Sequence, residues 1–266
     1  MRRVVVAATM AAIVGVTWSG IARAFTADEI LARVEEQSFF GTGRGSLYVA
    51  LAVGIEEKNQ PPSRYAFRVW AKEYPDGTTK TLLLYAAPEL VAGTMYLAHI
   101  PKEGPERMWL WLPDLEVLKE LVSESERKGE FIAGSGISYD DVASGFSYRE
   151  GYDATVAGEE TVAGHIAWRL DLTPTEPTAE WSRIVLWVHQ EEFIVLRAEF
   201  YDRAGKQDRV LTVPELVEDE IGLRPAQLVV ESPLQGSRAT VEIEVRSEAE
   251  IPDGYFEPEN LGKLEL

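Results

Sequence analysis

Apolar residues recur at every second position along most of this chain, which commits it to β-structure before anything else is considered. Leu47, Val49, Leu51, Val53 and Ile55 alternate with Tyr48, Ala50, Ala52 and Gly54. Phe67 and Val69 flank Arg68, and further downstream Ile166, Trp168, Leu170 and Leu172 repeat the habit. Ile184, Leu186 and Val188 follow, then Ile194, Leu196, Ala198 and Phe200, and finally Val241, Ile243 and Val245. The pattern reads as ten to twelve strands. Strict alternation puts one face of a sheet in water and the other in a core, and a sheet of this size curls.

Helix signals are few. Thr26 and Glu29 have the spacing of a capping box, and Ile30, Leu31 and Val34 give the helix they open one apolar face, as far as about Gln37. Gly41, Gly43 and Gly45 break it. Ser138 and Asp141 repeat the capping spacing ahead of a one-turn helix, and another short helix is expected near Glu259 to Leu261. The expectation is a mainly β protein with few helices, formed as a single strongly curved antiparallel sheet. Its apolar side is larger than these helices can roof, and a surface of that kind is seldom left open unless it binds something.

The first residues point to export. Arg2 and Arg3 precede an uncharged apolar run from Val4 to Val16, and Ala22-Arg23-Ala24 forms a small-residue cleavage site. The expected division is a signal peptide over 1–24, cleaved after Ala24, and one domain over 25–266. The apolar run falls short of the roughly 20 residues a spanning helix needs. With no cysteine in the sequence, neither a disulfide nor a lipid-bearing Cys is available. A soluble periplasmic protein is expected, with transient membrane contact at most. Loss of Arg2, Arg3 and Arg23 would move the formal net charge from −18 to −21. Such a surface repels nucleic-acid phosphates.

The stretch from Gly93 to Gly145 carries the most information. Met95 to Ile100 and Met108 to Leu112 read as strands, with Trp109 and Trp111 on one face and Met108, Leu110 and Leu112 on the other. Met108, Leu110 and Leu112 would form part of an acyl-chain wall or of an ordinary core; as an alternative, the two tryptophans on the outer face would dock a partner or touch a membrane. Glu124 to Glu130, followed by Gly134 and Gly136, reads either as a mobile gate or as a solvated turn. His99, His165 and His189 fall on separate strands and are expected on polar faces. Arg44, Arg64, Arg68 and Arg107 would meet either a lipid head group or nearby carboxylates. No nucleophile elbow, zinc-binding helix or phosphate loop occurs, so catalysis, a metal and cofactors are not expected. Asp140 and Asp141 lack a third ligand at suitable spacing.

The run MWLWLPDLEVLKEL, the charged SESERKGEF, Gly134-Ser135-Gly136 and Ser138-Tyr139-Asp140-Asp141-Val142 together resemble the outer membrane lipoprotein-sorting proteins of the LolA/LolB-like superfamily. Later pieces keep the order: Ile184 to Val188, Glu199 to Asp202, Ile251-Pro252-Asp253 and Phe256. The resemblance implies an incomplete barrel with a helical lid over an apolar cavity. It also implies a carrier or chaperone for a lipid or the acyl chains of a lipoprotein, working with an RND-type exporter or an outer-membrane acceptor. An alternative on the same fold is an RseB-like envelope-stress sensor. Alternation then nominates the lining: Leu47, Val49, Leu51, Val53, Phe67, Val69, Leu97, Met108, Leu110, Leu112, Trp168, Leu186, Leu196, Phe200 and Ile243.

Overall fold

The structure is a computed structural model and describes residues 25–36, 45–144, 149 and 151–266. The expected leader, Gly41, Gly43 and Arg44 lie outside these residues. Helix α1 (Ala27–Glu36) opens on the expected cap: the Thr26 amide donates to the Glu29 carboxylate at 2.9 Å, and the Glu29 amide donates to Thr26 Oγ1 at 3.2 Å. A meander follows through β1 (Ser46–Glu57), β2 (Ser63–Glu73), β3 (Thr79–Ala87), β4 (Met95–Ile100), β5 (Arg107–Leu112) and β6 (Val117–Glu120). Two short helices, α2 (Glu124–Arg127) and α3 (Tyr139–Ser144), interrupt the strands. The second half runs through β7 (Tyr152–Val162), β8 (His165–Pro174), β9 (Arg183–His189), β10 (Val195–Tyr201) and β11 (Gln207–Thr212). It then forms the small hairpin β12 (Leu216–Glu218) and β13 (Leu223–Pro225), and ends on β14 (Gln227–Ser232) and β15 (Ser237–Glu248).

Thirteen of these strands form one antiparallel sheet in the order β6-β5-β4-β3-β2-β1-β15-β14-β11-β10-β9-β8-β7. The sheet is not closed: β6 and β7 are its edges. Its curl follows from the reach of one small helix. Helix α3 packs against β4, where Tyr96 Oη donates to the Tyr139 carbonyl at 3.2 Å. Asp141, on the same helix, pairs at 2.8 Å with Arg209 of β11. Six strand spacings separate β4 from β11, about 29 Å if the sheet were flat. A six-residue helix is about 9 Å long. The sheet therefore wraps around α3, helped by bulges at Ala50/Leu51, Ala66/Phe67 and Val156/Gly158 that bend individual strands.

The expectation of one wet face holds for only part of the sheet. Strand β3 buries Thr81 through Tyr85 without alternation, and β9 buries Ile184 through His189. Both are continuous apolar runs in the sequence, the mark of a strand covered on two sides. The outer cover over β3–β5 is the C-terminal segment, in 3-10 turns at Asp253–Phe256 and Pro258–Lys263. Ile251, Phe256 and Leu261 seal Leu82, Leu84, Met95, Leu97 and Trp109 against it. Trp109 is thus buried and Trp111 half-buried beneath this strap: the pair is on the outer face, as the alternation placed it, but the chain's own C-terminal segment covers it, which corrects the alternative that it docks a partner. His99 is held there too, its Nε2 2.8 Å from the Phe256 carbonyl oxygen.

Gly262 lies flat on Trp111: a Cβ there would stand 2.6 Å from a ring carbon. Gly262→Val should lift the strap and destabilise the protein by about 1–3 kcal/mol, the usual cost of overpacking. Urea unfolding followed by tryptophan emission measures it, and an unchanged midpoint would mean that the strap yields freely.

Candidate functional site

The inner face of the curled sheet is the candidate site. Leu47, Val49, Leu51, Val53, Phe67, Val69, Met108, Leu186 and Phe200 are buried there in one continuous cluster, with Leu110, Trp168 and Ile243 half-buried against it. Leu112 ends β5, half-buried and outside that cluster. Two nominated residues face the other way. Leu97 stands opposite Trp109 in the β4–β5 register and shares its outer face. In β10 a bulge between Val195 and Arg197 turns Leu196 outward onto Ala167, Val185 and Trp187, while Ala198 and Phe200 stay inside. Alternation alone cannot reveal a bulge, because one extra residue reverses the parity on either side of it.

Two pieces of chain cover this face. Helix α1 contributes Ala27, Ile30, Leu31 and Val34, its 3.6-residue stripe. The segment from Leu121 to Ala143 contributes Leu121, Phe131, Ile132, Ile137, Val142 and Ala143. Phe131 is the centre of the second piece. Its ring lies 5.2 Å from Tyr85, 5.5 Å from Phe67, 6.0 Å from Tyr96 and 5.5 Å from Tyr139. Tyr85 Oη also donates to the Phe131 carbonyl at 2.9 Å. Burial pushes the Tyr85 and Tyr96 hydroxyls well above the usual phenol range, so both remain donors.

Polar contacts fix where this cover sits. A capping box at Ser123 and Glu126 opens α2, and Lys119 pairs with Glu126 at 2.7 Å. Glu130 folds back to accept the amides of Gly134 at 2.8 Å and Gly136 at 3.1 Å. Those two glycines have positive φ, and a Cβ on either would collide with Glu57 or Ser232. They serve close approach to the ends of β1 and β14. Asp141 accepts from the Ser138 amide and hydroxyl, as its spacing suggested, and also from Arg209. Arg209 in turn lies over the rings of Trp181 and Phe200. Sequence reasoning missed Arg209, because its partner is 68 positions away.

Elsewhere, Arg64 pairs with Glu242 at 2.8 Å and Arg107 with Glu120 at 2.9 Å, while Arg68 is exposed. These pairs favour the reading of arginines held by carboxylates. Among the described residues no group of three or more His, Asp or Glu is spaced to hold a metal ion, and no helix is long and apolar enough to cross a membrane. His165 on β8 and the buried His189 on β9 meet at 3.2 Å between Nδ1 and Nε2. His189 Nδ1 accepts the amides of Glu191 and Glu192, so its proton sits on Nε2 and is donated to His165. Burial first, and then the neighbouring His165, hold the His189 imidazole below the usual histidine range.

Residues 77–263 match a family model whose description reads "-like: Uncharacterized protein". The chain belongs to that family. No curated protein matches it. Among solved structures, a DUF1329 family protein from Desulfovibrio piger superposes with a TM-score of 0.77 at 23% identity, over 88% of this chain and 97% of that one. A putative outer membrane lipoprotein-sorting protein domain from Vibrio parahaemolyticus gives 0.77 at 22%, over 89% and 98%. A LolA superfamily protein from Nitrosomonas europaea gives 0.64 at 19%, over 88% and 98%. At these identities the likeness is one of fold, and the fold is LolA-like, as the central motifs suggested.

Two outcomes follow from the contacts. Arg209→Met leaves a buried carboxylate without its cation and should cost about 3–5 kcal/mol, read as a lowered urea midpoint; a loss below about 1 kcal/mol would mean that the pair behaves as a surface contact. The neutral His189 contributes stability that is complete above the unfolded value of about 6.5 and is lost as pH falls through its lower folded value. His189→Asn, whose carbonyl oxygen can accept the same amides, should therefore lose less melting temperature between pH 8 and pH 5 than the wild type.

Proposed function

We propose that the protein is a soluble periplasmic carrier or chaperone. It holds a lipid, or the acyl chains of a lipoprotein, between the inner face of the sheet and the cover formed by α1 and residues 121–143, and it passes that cargo between membrane components. The observation that carries this reading is the kind of cover the inner face has. A face drawn from strands on both sides of a thirteen-stranded sheet is closed by one three-turn helix and an irregular segment. Named side-chain contacts hold that segment: Tyr85 to Phe131, Tyr96 to Tyr139 and Arg209 to Asp141. Such a cover can be displaced without breaking a strand pairing.

The magnitudes favour exchange. Burying ten methylenes yields about 8 kcal/mol, comparable to what the large apolar side chains of the cover gain from the same face at about 1.5–3 kcal/mol each. A chain can therefore replace the cover, and the cover can return when the chain leaves. The role requires binding and no chemistry. An exporter of the RND type on one side, or an outer-membrane acceptor on the other, would be the partner at loading or release. The LolA-like fold agrees with this reading.

Native mass spectrometry of the protein from its own host, with lipid extraction, is the decisive measurement. A co-purifying lipid is expected, together with uptake of a fluorescent fatty-acyl probe by the delipidated protein; an empty protein that refuses the probe would falsify the proposal. Leu110→Asp places a charge on the inner face at a half-buried position and should weaken probe uptake at least about tenfold, or ~1.4 kcal/mol, with the far-ultraviolet spectrum unchanged. Undiminished uptake by the folded variant would remove Leu110 from the lining.

A further inference from the structure

The two ends of the inner face are not equally covered. Around Phe131 the rings are buried, but at the α1 end the apolar surface continues into solvent. Phe25 is 43% exposed, Val156 42% and Ile166 59%. Ile166 is two residues from Trp168 on β8, and Val156 stands opposite Leu170, so both share the inner face. Phe25, Trp168 and Phe193 pack ring against ring at 5.5–5.6 Å, and Trp168 and Phe193 adjoin the main core. The patch is thus an uncovered extension of the proposed binding face.

Its rim carries charge of both signs. The Arg33 guanidinium lies 5.8 Å from the centre of the Phe193 ring, and its carboxylate neighbour Glu36 stands off at 3.8 Å. Glu192, exposed, precedes Phe193 in the turn between β9 and β10. A cation set among carboxylates complements a phosphate beside an ammonium, because each head-group charge finds its opposite within one side chain's reach. We propose that an amphiphile of this class, a hydrocarbon chain on a phosphate-and-ammonium head group, enters chain first at Phe25, Trp168 and Phe193, with Arg33 taking the phosphate. The proposal rests on the carrier reading above and adds the point of entry and the head group.

Bromine on an acyl chain quenches a tryptophan that it touches, and the placement of the tryptophans makes the readout selective. Trp70, Trp109 and Trp111 lie under the C-terminal strap and Trp187 is on the outer face, whereas Trp168 and Trp181 belong to the inner face. Lysophosphatidylethanolamine brominated along its chain should quench the protein, and Trp168→Phe should remove most of that quenching at saturating lipid. The same chain on lysophosphatidylglycerol, which keeps the phosphate and lacks the ammonium, should bind at least about fivefold more weakly, ~1 kcal/mol, and Glu192→Gln should reduce that difference, whereas Arg33→Gln should weaken binding of both phospholipids. If the fluorescent acyl probe does not bind at all, the carrier reading fails and takes this proposal with it. If the probe binds but Trp168→Phe leaves the quenching intact, or a dimer shields Trp168, the entry point alone is overturned. Equal affinity for the two phospholipids overturns the carboxylates as partners of the ammonium, and an Arg33→Gln variant that binds both as tightly as the wild type overturns the assignment of Arg33.

Discussion

One ion pair connects the two halves of the sheet through a helix that belongs to neither. Asp141 caps α3 and pairs with Arg209 of β11, while α3 rests on β4 through Tyr96 and Tyr139. Apolar packing alone would press residues 121–143 onto the inner face, but it has little directional preference. A desolvated carboxylate is different, since moving it away from Arg209 weakens the pairing that offsets its burial. The pair therefore specifies position more than it adds net stability. The rings of Trp181 and Phe200 flank the guanidinium, so β9–β11 and the cover are aligned together.

The two faces of the sheet are covered by different means. Outside, the C-terminal strap buries Phe256 and Leu261 fully and is tied down by Lys72 and Tyr74, which both reach Asp253. Inside, the cover is made of short capped turns whose own hydrogen bonds are local. Ser123 with Glu126, Glu130 with its two glycine amides and Ser138 with Asp141 each close within six residues. The outer cover is thus tied to the sheet at Asp253, while the inner one is tied by the side chains of Tyr85, Tyr96 and Arg209.

Much of this was legible in the sequence, and what was not has definable causes. The capping boxes at Thr26 and Ser138 and the strands at Met95–Ile100 and Arg107–Leu112 depend on neighbours within a few residues, and they were read close to where they lie. The run Leu82-Leu83-Leu84-Tyr85 already indicated a strand buried on both faces, yet the alternation around it dominated the reading. Strand β7 is exposed over nearly its whole length and carries Glu159 and Glu160, so it has no apolar period to detect. The facing of Leu196 depends on a bulge, and the roles of Arg209 and of the His165–His189 pair depend on strand register. Contacts of that kind exist only after the sheet has formed.

The sheet stops at β6 and β7 instead of joining them. In a closed barrel the number of strands and their stagger fix the bore, so the interior cannot widen without breaking a ladder. A rolled sheet with free margins has no such lock, and small changes in twist between neighbouring strands can tighten or slacken the roll. The interior can then change its width by elastic adjustment spread over twelve strand pairings, with none of them broken.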